Sequence, residues 1–101
     1  MGNVANVVSY TVQAEHADTL TERVQQYLVP AARQVDGYRG FLLLDQGDCK
    51  RTALLSFESI EQAQAAQQVL TPVGREHTYA LMEQPATMSV GTVLVADGLF
   101  V

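Results

Sequence analysis

Tyr38-Arg39-Gly40-Phe41-Leu42-Leu43-Leu44-Asp45-Gln46-Gly47-Asp48-Cys49-Lys50-Arg51-Thr52-Ala53-Leu54-Leu55-Ser56-Phe57 contains two strand patterns separated by one turn. The first, Tyr38 to Asp45, is aromatic and aliphatic, and both its faces are apolar at the centre. A strand greasy on both faces needs cover on both, which is unusual for a lone antiparallel sheet. Gln46-Gly47-Asp48 supplies turn residues. From Arg51 to Glu58, Ala53, Leu55 and Phe57 alternate with Thr52, Leu54 and Ser56. The connection is short, so the two strands form a hairpin.

Upstream of the hairpin the period changes. Ala17, Leu20, Val24, Tyr27, Leu28, Ala31 and Val35 recur at three and four, an amphipathic helix with one core-facing stripe. Thr19 and Glu22 have capping-box spacing, though a start near His16 is also open. Pro30 removes a donor and is expected to kink or divide the helix. Asp36-Gly37 ends it, with Gly37 in the left-handed turn. Further upstream, Asn3 to Ala14 reads as a strand: Asn6, Val8, Tyr10 and Val12 share one face, and Val7, Ser9, Thr11 and Gln13 the other.

Downstream, Ser59 and Gln62 complete a capping box. Ile60, Ala63, Ala66, Val69, Leu70 and Val73 then trace a helical stripe. Pro72 and Gly74 interrupt it, so a second short helical piece is expected from about Pro72 to Leu81. Thr87 to Ala96 reads as a strand apolar on both faces, and the tail from Asp97 to Val101 ends in exposed apolar residues. The order is β-α-β-β-α-β, the ferredoxin-like α+β arrangement with one antiparallel sheet. Helices cover one face. The other carries Leu and Val from the second and last strands, and the simplest cover is the sheet of a second copy, giving a homodimer.

The 101 residues fit a single domain, 1–101. Charged residues make up 17%, below the usual figure of about 25%, which again points to surface buried against a partner. The formal net charge is -5, with only 6 Lys and Arg, scattered along the chain. Nucleic acid needs a basic stripe, so it is not an expected partner. Nor is an anionic membrane, and no apolar run approaches the roughly 20 residues of a bilayer span. With no visible signal segment and one cysteine, Cys49, the chain reads as cytoplasmic. Two His and one Cys, far apart, give no metal-ligand spacing, and no Gly-rich phosphate loop follows a strand.

Three stretches carry a family resemblance: Asp36-Gly37-Tyr38-Arg39-Gly40-Phe41; Leu55-Ser56-Phe57-Glu58-Ser59; and Arg75-Glu76-His77 with Pro85-Ala86-Thr87-Met88-Ser89-Val90-Gly91-Thr92-Val93-Leu94-Val95. They resemble the antibiotic-biosynthesis monooxygenase-like domains of the dimeric α+β barrel superfamily. The resemblance implies a dimer whose two sheets close into a barrel, with a ligand cavity between sheet and helices in each subunit. It implies a cofactor-independent monooxygenase, or a related isomerase, acting on a small hydrophobic aromatic or quinone-like metabolite. The alternative is a non-catalytic dimeric small-molecule-binding or stress-response accessory protein. The resemblance matches Asn6 to an Asn on the first strand and His77 to a His at the end of the second helix. Phe57 holds the position where many relatives carry Trp; the chain has no Trp, which argues against haem degradation.

His77 is the expected proton shuttle, being able to titrate near neutral pH; a haem ligand or a helix-end residue eased by the C-terminal dipole are the other readings. Asn6 is a polar group on an apolar strand face and needs a partner, a substrate oxygen or the strand's own end. Tyr10 and Tyr38 are expected to bind substrate as donors to a ligand carbonyl, or to pack in core or interface. With Phe57 they complete the substrate-binding set. Cofactor-free oxygenation asks for a base (His77), a donor to the developing oxyanion (Asn6 or Tyr10) and a dry pocket. No cofactor and no metal is expected.

Overall fold

A computed structural model describes residues 3–98. The chain runs β1 (Val4–Thr11), a 3-10 turn (Ala14–His16), α1 (Ala17–Arg23), a π-helical stretch (Val24–Leu28), α2 (Val29–Arg33), β2 (Tyr38–Asp45), β3 (Lys50–Phe57), α3 (Ile60–His77), a second 3-10 turn (Tyr79–Leu81) and β4 (Thr87–Thr92). The four strands form one antiparallel sheet ordered β2-β3-β1-β4. This is the ferredoxin-like arrangement, with β2 and β4 at the edges. Among the described residues no helix is long and apolar enough to cross a membrane.

Register decides which side chains share a face. Asn6 stands opposite Leu55 and Val90, Val8 opposite Ala53 and Met88, and Leu55 and Ala53 opposite Phe41 and Leu43. These residues lie on the side covered by helices. The opposite side carries Val7, Leu54 and Leu42 in one cross-strand row, with Ser9, Thr52 and Leu44 in the next. Leu44 is 41% exposed. The last strand differs from expectation here: it ends at Thr92 and contributes Thr87, Ser89 and Gly91 to the open side. Its Met88 and Val90 point to the helix side, yet remain 45% and 40% exposed at this edge of the sheet. Leu94 and Val95 lie beyond the strand and are also exposed. Of the expected apolar tail, residues 99–101 lie outside the described residues.

Buried apolar residues form two clusters on the helix side. One joins Val4, Leu55 and Phe57 to Ala32, Ala63 and Ala66; the other joins Tyr10 and Val12 to Leu20, Val24 and Leu81. The helices depart from their sequence stripes in an orderly way. Leu20, Val24, Leu28 and Ala32 face inward at a constant spacing of four. On a straight α-helix each such step drifts by about 40°. The π stretch widens the turn and cancels part of that drift. It also answers Pro30: Val29 N–H bonds the Val24 carbonyl one register further back, and the proline, lacking a donor, needs none. No side chain caps α1, so the Thr19 box is not made.

In α3 the buried residues are Ala63, Ala66 and Gly74, while Ile60 and Val69, expected inside, are 48% and 46% exposed. Small residues let the helix sit close to the sheet, and the bulkier β-branched ones fall on the rim. The helix continues through Pro72, which is exposed and costs one backbone bond, so only the 3-10 turn remains of the expected separate piece. Ser59 Oγ accepts from Gln62 N–H at 3.2 Å, but only this half of the capping box forms. The Gln62 side chain packs against Gly37 instead, at a φ of +82° where any Cβ would fall into the Gln62 amide.

Candidate functional site

Where the two clusters meet, the packing leaves a cavity of about 80 Å³. Its floor is Asn6, Val8, Tyr10, Ala53, Leu55, Phe41 and Leu43 from the sheet. Val24 and Leu28 of the π stretch close one side, and Gln67, Leu70, Thr71 and Gly74 of α3 roof it. Met82 and Met88 stand at the edge. The hole follows from residue size: α3 presents Gly74 to it and the sheet presents Ala53, so neither surface fills the gap.

The polar groups in this apolar setting are few and tightly held. Asn6, 2% exposed, donates from Nδ2 to the Ala63 carbonyl at 3.0 Å, and its Oδ1 accepts from Gln67 Nε2 at 3.3 Å. Thr78 Oγ1 donates to the Gly74 carbonyl at 2.7 Å and closes the end of α3. Tyr10 is different. Its hydroxyl is buried and has no hydrogen-bond partner among the described residues. Burial pushes this phenol up to about 12, the Arg51 guanidinium on the neighbouring strand pulling weakly the other way. Across the neutral range Tyr10 is therefore a protonated donor without an acceptor, a group whose burial is unfavourable until something accepts its hydrogen.

Of the expected site residues, Asn6 and Tyr10 come together in the cavity wall. Phe57 and Tyr38 do not line it: Phe57 is fully buried in the first cluster, and Tyr38 meets it edge-on with centroids 6.1 Å apart. Tyr38 instead borders a surface groove between the π stretch and β2. His77 lies outside the cavity lining. Its ring stacks on Tyr27 at 3.7 Å and 3°, Nε2 sits 3.7 Å from Glu76, and its carbonyl accepts from Arg23 at 3.0 Å. These contacts tie α1 and the π stretch to the end of α3. Gln67 was not singled out from the sequence. Its signal was its spacing, four after Ala63, three before Leu70 and seven before Gly74, which places an amide on the buried face. Among the described residues no group of three or more His, Cys, Asp or Glu is arranged to hold a metal ion.

No protein-family model matches the chain, and comparison with curated proteins gives no match. Solved structures match closely in shape. A protein of unknown function from Nitrosomonas europaea superposes with a TM-score of 0.82 at 16% identity, over 96% of this chain and 94% of that one. A candidate antibiotic biosynthesis monooxygenase from the same organism gives 0.79 at 15%, over 97% of both. Another from Bordetella bronchiseptica gives 0.81 at 15%, over 94% of this chain and all of that one. By fold, the chain is similar to these solved antibiotic biosynthesis monooxygenase structures.

Proposed function

We propose that the chain is a homodimeric domain whose cavity takes a small phenol- or quinone-like molecule and oxygenates it without a cofactor. The observation that carries this reading is the Tyr10 hydroxyl, protonated, buried and without a partner in the wall of an apolar cavity. A carbonyl or phenolate oxygen would satisfy it, and the bond strengthens as negative charge develops there. The cavity volume bounds the ligand. An engineered cavity of about 150 Å³ binds benzene, and this one has about 80 Å³. A single ring is the largest guest that displacement of the flexible Met82 and Met88 side chains would admit. Oxygenation of such a phenol consumes one O₂. The C–H bond opposite the hydroxyl becomes a second carbonyl, and the other oxygen atom leaves as water with the ring and hydroxyl hydrogens.

The dimer belongs to the same reading. Val7, Leu42, Leu54 and Leu44 give the open side of the sheet an apolar patch among Ser and Thr residues, and a second sheet packed face to face would cover it. A reducing, cytoplasmic setting fits the single Cys49.

One observation favours binding without turnover. Among the described residues no carboxylate or imidazole stands in the cavity lining, and His77 is stacked on Tyr27 outside it. Oxygen uptake separates the two readings. With a panel of single-ring phenols and quinols, the oxygenase consumes O₂ in proportion to substrate, and Tyr10→Phe lowers the rate at least about tenfold. Binding that needs Tyr10 but draws no O₂ above the protein-free rate would leave the accessory role. Because His77 lies away from the cavity, His77→Gln is expected to keep any uptake within about twofold while loosening the helix pair.

A further inference from the structure

We infer that Gln67 is the second ligand-contacting group of this cavity, a hydrogen-bond acceptor for a ligand hydroxyl, and that Asn6 is the residue that positions it. The inference deepens the proposed reading and rests on the cavity being a ligand site. It comes from following donors and acceptors along one chain of bonds. The Ala63 carbonyl can only accept, so the amide nitrogen of Asn6 must face α3, as it does at 3.0 Å. Asn6 Oδ1 is then committed as an acceptor and takes the Gln67 Nε2–H at 3.3 Å. That orientation leaves Gln67 Oε1 as the free end of the relay. Among the described residues it has no hydrogen-bond partner, and Gln67 lines both the cavity and the groove between α3 and β4.

The cavity therefore offers one buried, unpaired donor, the Tyr10 hydroxyl, and in its wall the half-buried Gln67, whose Oε1 is uncommitted. A ketone or hydrocarbon would leave one or both unsatisfied. A ligand that both accepts and donates, a phenol or hydroquinone, satisfies both. Leaving the buried Tyr10 donor unmatched, and forgoing the Gln67 contact, is what would make the site discriminate against an isostere lacking the hydroxyl. Asn6, buried and bonded on both sides, acts by holding the glutamine in this orientation.

Phenol and toluene, nearly equal in size, test this as probes titrated into the whole protein and followed by NMR. The wild type is expected to prefer phenol by about tenfold or more. Gln67→Leu should bring that preference within about threefold of unity while toluene binds as well as before or better, which also shows that the variant is folded. Asn6→Ala should lower the preference several-fold with Gln67 still present, an effect that loss of packing alone would not confine to phenol. Tyr10→Phe serves as the separate check on the cavity reading. Phenol binding that depends on Tyr10, with a phenol-to-toluene ratio untouched by Gln67→Leu, overturns the role of Gln67 and leaves the cavity reading standing. If neither probe binds the wild type, the cavity reading fails and this inference with it.

Discussion

At the scale of single residues, the buried hydroxyl of Tyr10 makes a measurable claim. Its folded value of about 12 stands above the ordinary 10.0. A raised acid binds its proton more tightly in the folded state, so the contribution is intact below pH 10 and is lost as pH rises from 10 towards 12. Titration of tyrosinate absorbance should show one late-ionising phenol in the folded protein, absent in Tyr10→Phe, together with falling stability over that window. If Tyr10 ionises at the ordinary 10.0 in the folded protein, the burial is wrong. Glycine is required at Gly37 for two reasons that a pair of variants separates. Gly37 and Gly47 share left-handed φ values of +82° and +84°, but only Gly37 faces a neighbour, the Gln62 amide. Gly47→Ala should cost about 1 kcal/mol in urea unfolding, the left-handed penalty alone. Gly37→Ala should cost roughly 2 kcal/mol or more, since Gln62 must also move.

At the scale of elements, the two helical segments differ in how their starts are held. α3 begins at a side-chain cap, Ser59 to Gln62 N–H, while α1 has none. Ser59→Ala is therefore expected to lower stability by about 1 kcal/mol, and Thr19→Ala to change it by less than about 0.5 kcal/mol; equal losses at both would remove the distinction. Both helices carry a proline in their interior, and they accommodate it differently. Pro30 is met by a π turn that also aims Val24 and Leu28 at the cavity, whereas Pro72 lies on the exposed side of a helix that simply runs on. A wide turn beside a cavity is a common place for such a distortion. Here it keeps side chains four apart on one face.

At the scale of the whole molecule, the two sides of the sheet have different fates. The helix side closes over two apolar clusters and a small cavity. The open side keeps Val7, Leu42 and Leu54 in one row, and covering it with a second copy would hide them. Light scattering should give about twice 11.0 kDa for the wild type. Leu54→Glu places a charge in the middle of that row and is expected to yield a folded monomer, because the substitution points away from the helices and the cavity. A wild-type monomer at micromolar concentration would overturn the dimer.

The sequence by itself determined the order and type of the elements. Period two in Val4–Thr11 and Lys50–Phe57, period near four in the helices and turn chemistry at Gly37 and Gly47 are local properties, each written in a short window. It also placed Asn6 and Tyr10 on one strand face, since alternation needs no tertiary knowledge. Only the tertiary structure decided that these two share a cavity wall while Phe57 fills the core, Tyr38 borders another groove and His77 stacks outside. The same holds for Gln67, whose amide acquires an orientation only when Asn6, 61 positions away in the chain, is brought against α3. Such outcomes depend on register, on which small residues leave space and on which carbonyl is already committed, and those are properties of contacts between distant segments.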